Sequence, residues 1–193
     1  VVARGASVER RTRETEIKVE LNLEPGEVKV ETPVKFLNHM VETFIFYMGA
    51  SGVVKAVDLR GFDDHHVVED VAIVLGSAID KALGDRVGIA RFGWAIVPMD
   101  DALSLASVDL GGRVYFTFKG SFNREFVGDM STEMIPHFIR SLASSLRATI
   151  HVNVLYGENS HHVAESIFKA LGLAMGQAIE VKGGGVPSLK GVV

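Results

Sequence analysis

Cysteine is absent from the 193-residue chain. That excludes disulfide staples and thiolate metal sites such as structural zinc fingers, and makes a reducing, cytoplasmic compartment the expectation. A basic surplus is missing too. The 20 Lys and Arg face 24 Asp and Glu, for a formal charge of −4, which argues against general nucleic-acid binding. The longest apolar stretches, around Phe44–Met48 and Val71–Ile79, are cut by Glu42 and Asp80 and fall well short of the roughly 20 residues that a bilayer span requires, so membrane insertion is excluded on this reading. Val1–Arg13 carries no apolar, small-residue leader and gives no sign of export. What remains is 47% hydrophobic and 23% charged. Such a chain buries about 70% of its unfolded surface and is expected to act on something small.

Strict alternation over Thr15–Leu23, resumed at Val28 and Val30 after Glu24-Pro25-Gly26, predicts a hairpin over Thr15–Glu31. A helical pattern over Phe36–Met48 is stopped by Gly49, and Val53–Leu59 is the next strand. Asp64 is the expected N-cap of a helix over His65–Leu83 that ends at Gly84. The rest predicts strands near Ile89–Val97, Leu103–Leu110 and Val114–Phe118, a helix near Ser131–Arg147, a strand at Ile150–Tyr156 and a helix at His161–Val181. A shift of 96 positions lays Gly61, His65, His66, Glu69 and Gly76 on Gly157, His161, His162, Glu165 and Gly172. The chain therefore reads as internally duplicated α+β, with halves at 1–86 and 87–181 and a Gly-rich, mobile tail at 182–193.

Four of the seven histidines lie in two copies of one pattern, His65-His66-Val-Val-Glu69 and His161-His162-Val-Ala-Glu165. Residues four apart share a helix face, so each His-Glu pair can converge on one point while the second His aims at another. Imidazole with carboxylate suits a borderline or harder divalent ion. With His39 and His137, a matched pair near the starts of the preceding helices, the tally is six imidazoles and two carboxylates, enough for two ions with open positions. Helix capping or satisfied hydrogen bonds would explain one such copy; capping does not require a double His followed by Glu twice in register. His151, alone in an alternating strand, needs no metal. Arg91, Arg113, Lys169, Ser188 and Lys190 can reach an anionic substrate, although solvated surface charge explains each taken singly. Asp100-Asp101 is an acidic turn, structural or neutralising a nearby Arg, and Glu14 is ambiguous by itself.

Nearly end to end, the chain resembles imidazoleglycerol-phosphate dehydratase, the lyase family of histidine biosynthesis. The matching motifs are Arg11-Thr-Arg-Glu14-Thr15, Phe36-Leu-Asn-His39-Met40, both His-His-x-x-Glu copies, Arg91-Phe-Gly93, Val97-Pro-Met-Asp-Asp-Ala-Leu103, Gly111-Gly112-Arg113, His137-Phe138, Phe168-Lys169-Ala170 and Ser188-Leu-Lys190-Gly191. The resemblance implies two Mn ions per active site, held by His39, His65, His66, Glu69, His137, His161, His162 and Glu165. It implies phosphate contacts from Arg91, Arg113, Lys169, Ser188 and Lys190, with Glu14 beside the reacting carbons and Glu69 and Glu165 as further candidate catalytic carboxylates. It also implies a pair of α+β halves in a ribosomal protein S5 domain 2-like or ferredoxin-like arrangement, helices packed between two sheets, and a 24-subunit homo-oligomer with active sites between subunits. The sequence departs from the family pattern at Asn38 (Asp), Tyr47 (His), Ser166 (Ala) and Leu189 (Thr).

Removing water from imidazole glycerol phosphate means taking a carbon-bound proton that is not acidic in water. If two metals hold the ring as imidazolate, the charge can flow into a diazafulvene-like species, while a carboxylate, Glu14 by implication, moves the proton. A dinuclear phosphate-ester hydrolase with the same ligands, and a non-catalytic metal-binding scaffold, remain open at this point.

Overall fold

A computed structural model describes residues 4–193; Val1–Ala3, where the first half and the leader reading begin, lie outside it. The first half contains β1 (Gly5–Arg11), β2 (Thr15–Asn22), β3 (Val28–Glu31), α1 (Lys35–Tyr47), β4 (Ser51–Asp58) and α2 (His65–Leu83). The second contains β5 (Phe92–Met99), β6 (Ala102–Asp109), β7 (Tyr115–Lys119), β8 (Phe126–Val127), β9 (Met130–Ser131), α3 (Met134–Leu146), β10 (Thr149–Tyr156) and α4 (Ser160–Ala178). Sheet orders are β1-β2-β4-β3 and β5-β6-β10-β7. In each sheet the last pair, β3 with β4 and β7 with β10, is parallel and the rest antiparallel. The two halves thus share one topology, and the small β8–β9 ribbon is an insertion in the second. We propose residue 86 as their junction, with residues 182–193 as the tail.

Helices α1 and α2 cover the first sheet, α3 and α4 the second, and the two helical layers pack on each other through α2 with α3 and α1 with α4. The fold is α+β, with helices between two sheets. Matched glycines permit both crossings. A Cβ at Gly76 would lie 2.0 Å from Ser145 Oγ and 2.8 Å from Leu142 O, and one at Gly172 2.8 Å from Phe44 O, separations no side chain tolerates. One apolar cluster runs through both halves, with Phe44, Phe138 and Phe168 fully buried.

The predicted hairpin is not formed. Strand β2 pairs along all eight residues with β4, and β3 lies on the far side of β4, which the chain reaches from β3 through the α1 crossover. Alternation marks which face is buried, not which strand is the neighbour, and eight ladder positions outweigh the four that β3 offers. Strand β1 has weak alternation, with Val8 its one large apolar residue, and is visible only through its pairing with β2. Ile89 is not part of β5; it bridges to Val181, and Arg91, at φ 71°, breaks the strand before Phe92.

Capping also differs from expectation. Asp64 occupies the N-cap position of α2, but its Oδ2 accepts from Ser131 N and Oγ, while Asp63 Oδ1 accepts from His65 N. Asp129, in the β8–β9 turn, accepts from Lys35 N and Phe36 N at the start of α1. The inserted ribbon therefore ties down the N-terminal ends of both helices of the first half.

Between α2 and β5, Arg86, 2% exposed, donates to Leu110 O, Arg147 O, Leu146 O and Asp80 Oδ1. Asp80 also accepts two bonds from Arg147. Burial pushes the Asp80 carboxyl up, but Arg147 and Arg86 outweigh it and hold the group below its ordinary range. Asp80→Asn strands a nearly buried guanidinium without its countercharge, and the urea midpoint should report a loss of about 2 kcal/mol at neutral pH. A depressed carboxyl stabilises above its unfolded pKa and ceases to as pH falls through the folded value. The gap between wild type and variant should accordingly close below about pH 3.9.

Candidate active site

Each metal-type cluster draws on both halves. His65 and Glu69 on α2 meet His137 on α3, and His161 and Glu165 on α4 meet His39 on α1; in each set one ligand atom per residue lies within 4.8 Å of the others. His65 Nε2 is 3.5 Å from Glu69 Oε2, with His137 Nε2 in closer contact with the same oxygen. His161 Nε2 is 3.1 Å and His39 Nε2 3.7 Å from Glu165 Oε2. Exchange of the halves relates α2 with α3 to α4 with α1, so the clusters are equivalents. Sequence spacing put the His-Glu pairs together; the crossing of His39 and His137 to the opposite half was beyond it.

The His137 imidazole holds the Glu69 carboxyl below its usual range against the opposing effect of burial. At Glu165 burial is the largest influence and raises the carboxyl, but Lys169, 3.0 Å away, together with His161 and His39 brings it below its usual value. Both carboxylates are thereby kept anionic, the state a cation needs.

His66 and His162 turn elsewhere. His66 Nδ1 is 2.9 Å from Glu14 Oε2, and His162 Nδ1 is 2.6 Å from Asp101 Oδ1. Asp101 was not singled out for the site by its sequence, although the Asp-Asp turn was its signal. Asn159 N–H, then His162 and Glu158 N–H, hold its carboxyl well below the usual range. Glu14 is fixed through its backbone. Thr12 Oγ1 accepts from Glu14 N and Thr15 N, Leu59 N donates to Glu14 O, and buried Thr15 Oγ1 donates to Asp70 Oδ2 at 2.5 Å.

Arg91, Arg113, Ser188 and Lys190 line one cavity of about 470 Å³ with Gly111 and Leu189, and none of the eight His and Glu lines it. Arg91 is held there by Asp109, with Nε 2.7 Å from Oδ1, and by Pro187 O, which ties in the tail. Lys169 is not among these residues. It pairs with Glu165 in a second cleft, of about 420 Å³, lined also by His39 and Tyr47. His151 lies apart on β10, stacked on Tyr115. Of the four departures, Asn38 pins the turn into α1 by accepting from Thr32 N and Oγ1, and buried Ser166 bonds to Ser104. Leu189 projects fully into solvent at the Arg91 cavity, and Tyr47 lies under Lys169 Nζ at 5.9 Å.

Residues 32–175 match the family model described as imidazoleglycerol-phosphate dehydratase. The chain belongs to the imidazoleglycerol-phosphate dehydratase family. It is 85% identical over 190 residues to the imidazoleglycerol-phosphate dehydratase of Caldivirga maquilingensis, covering 98% of this chain and 99% of that protein. It is 53% identical over 189 residues to that of Pyrobaculum calidifontis, covering 97% and 99%. Among solved structures, the dehydratase of Pyrococcus furiosus superimposes with a TM-score of 0.83 at 39% identity, over 96% of this chain and 100% of that one. The dehydratase of Staphylococcus aureus does so with 0.83 at 33% identity, over 92% and 99%. Among the described residues no helix is long and apolar enough to cross a membrane.

Proposed function

We propose that this chain converts D-erythro-imidazole glycerol phosphate to imidazole acetol phosphate, the dehydration for which its family is named, as a cytoplasmic step of histidine biosynthesis. Membership of the family makes it a hydro-lyase. The observation that carries the site is the pair of equivalent His-His-Glu clusters. Their donors, imidazole nitrogen and carboxylate oxygen with no thiolate, fit Mn²⁺, and we assign two ions per active site. His66 and His162 complete the ligand set. Because neither joins a cluster of its own chain, a second chain is the source, which supports active sites between subunits of a 24-chain homo-oligomer.

Bound there, the ions supply Lewis acidity that stabilises negative charge on the substrate ring. The protein does the rest. Glu14, backbone-pinned with its carboxylate partly exposed, takes the carbon-bound proton while the hydroxyl next to the ring departs and leaves as water, and the enol that remains becomes the ketone. Glu69 and Glu165 stay anionic as ligands. Arg91, Arg113, Ser188 and Lys190 hold the phosphate at one end, and Lys169, beside the His39 cluster, faces the same anion once two chains close the site.

Release of a ketone from imidazole glycerol phosphate tests the reading; release of inorganic phosphate would point to the hydrolase. Arg113→Ala and Lys190→Ala should chiefly raise KM, each by about ten- to a hundredfold, the worth of a charge-assisted phosphate contact of about 1.5–3 kcal/mol. Steady-state kinetics decide it, and an unchanged KM in both would move phosphate recognition elsewhere.

A further inference from the structure

The duplication extends to two carboxylates that sequence alignment by a single shift does not pair. Glu14 directly precedes β2 and Asp101 directly precedes β6, the second strands of their sheets. Each faces the Nδ1 of the second His of its half's motif, His66 and His162. The two are tethered differently. Glu14 Oε2 lies near His66, and its side chain is 43% exposed. Asp101 Oδ2 accepts from both Glu158 N, at 2.7 Å, and Asn159 N, at 2.9 Å, so that Oδ1 is presented to His162 Nδ1 at 2.6 Å in a fixed direction.

We propose that Asp101 is a positioning residue that sets the tautomer of His162, holding the proton on Nδ1 and leaving the Nε2 lone pair free for a cation. The proposal rests on the reading of His162 as a metal ligand. An ionised carboxylate is acceptor-only, so a neutral imidazole facing it must place its N–H on Nδ1. Asp100 Oδ2, 3.6 Å from His162 Nε2, is beyond hydrogen-bond distance and 73% exposed, and does not compete for that nitrogen. A carboxylate behind the distal nitrogen of a ligating His fixes ring orientation and raises basicity. The duplicated position has therefore diverged: the tethered Asp orients, while the untethered Glu is free to exchange a proton.

Asp101→Asn separates this role from a structural one. The two backbone N–H groups of Glu158 and Asn159 keep the single amide oxygen, so the loop ahead of α4 retains its bonds and the amide NH₂ turns to His162 Nδ1. Nδ1 must then accept, and the proton moves to Nε2, the nitrogen the metal needs. In ¹⁵N-histidine-labelled, metal-free protein, with His162→Gln identifying the signals, His162 should be Nδ1–H in the wild type and Nε2–H in Asp101→Asn. Calorimetric titration with Mn²⁺ should show one of the two sites weakened about 10- to 100-fold and the other unchanged. The thermal midpoint of the metal-free protein should not move, and Asp100→Asn should change nothing. His162 found as Nε2–H in the wild-type metal-free protein, or unweakened Mn²⁺ binding by Asp101→Asn, overturns the proposal. Full Mn²⁺ binding by His162→Ala would instead overturn the ligand reading, so the two failures are distinguishable.

Discussion

Glu14→Gln should lower kcat by about 10² to 10⁴, the usual weight of a positioned proton-transfer group, while Mn content and thermal midpoint stay at wild-type values. The variant is a narrow test because the residue is anchored by its backbone. Thr12 Oγ1, Leu59 N and, through Thr15, Asp70 fix the turn whatever the side chain carries. Gln preserves size and an acceptor oxygen for His66 but loses the negative charge and, with it, the capacity to take up a proton. The other carboxylates near the clusters are poor substitutes, since His137 and Lys169 hold Glu69 and Glu165 anionic. A fall of less than tenfold would mean that another group moves the proton. A parallel loss of Mn would mean that Glu14 acts by supporting His66.

The parts of this molecule written in local periodicity were legible before folding. Helix α2 runs over the predicted His65–Leu83, because its apolar stripe, its Gly84 stop and its His-x-x-x-Glu face all lie within one element. The duplication was legible for the same reason. Partner choice was not. Strands β2 and β3 alternate as a hairpin would, yet α1 carries the chain across so that β4 lies between them, and no residue in either strand encodes that insertion. The cross-half meeting of His39 with Glu165 depends on how α1 packs on α4, which the matched Gly172 permits but does not announce. Asp101 was hidden by chemistry, since an Asp-Asp turn is equally at home capping a loop, and Asp101 does that as well through Glu158 and Asn159.

Stripping the metal should abolish turnover, by more than about 10³-fold, since the barrier to removing an unactivated carbon-bound proton is left without its charge stabilisation. Mn²⁺ should restore it best among ions that favour nitrogen and oxygen donors. The clusters make a more specific demand. Each brings together three in-chain His and Glu groups from two helices of opposite halves, so on the proposed reading His39→Ala should empty one site and His137→Ala the other, each leaving one ion per chain. His66 and His162 face Glu14 and Asp101 in their own chain; if they serve a neighbour's cluster, chelation should loosen the assembly as it empties the sites. Protons compete for the same imidazoles, so acid should release metal with proton uptake, and added salt should shift that release little, whereas a surface-charge effect would be screened. Sedimentation with bound Mn measured in each fraction decides it. Full activity in metal-free protein would end the two-metal reading, and an unchanged particle mass after complete stripping would mean that metal held through His66 and His162 does not tie neighbouring chains together.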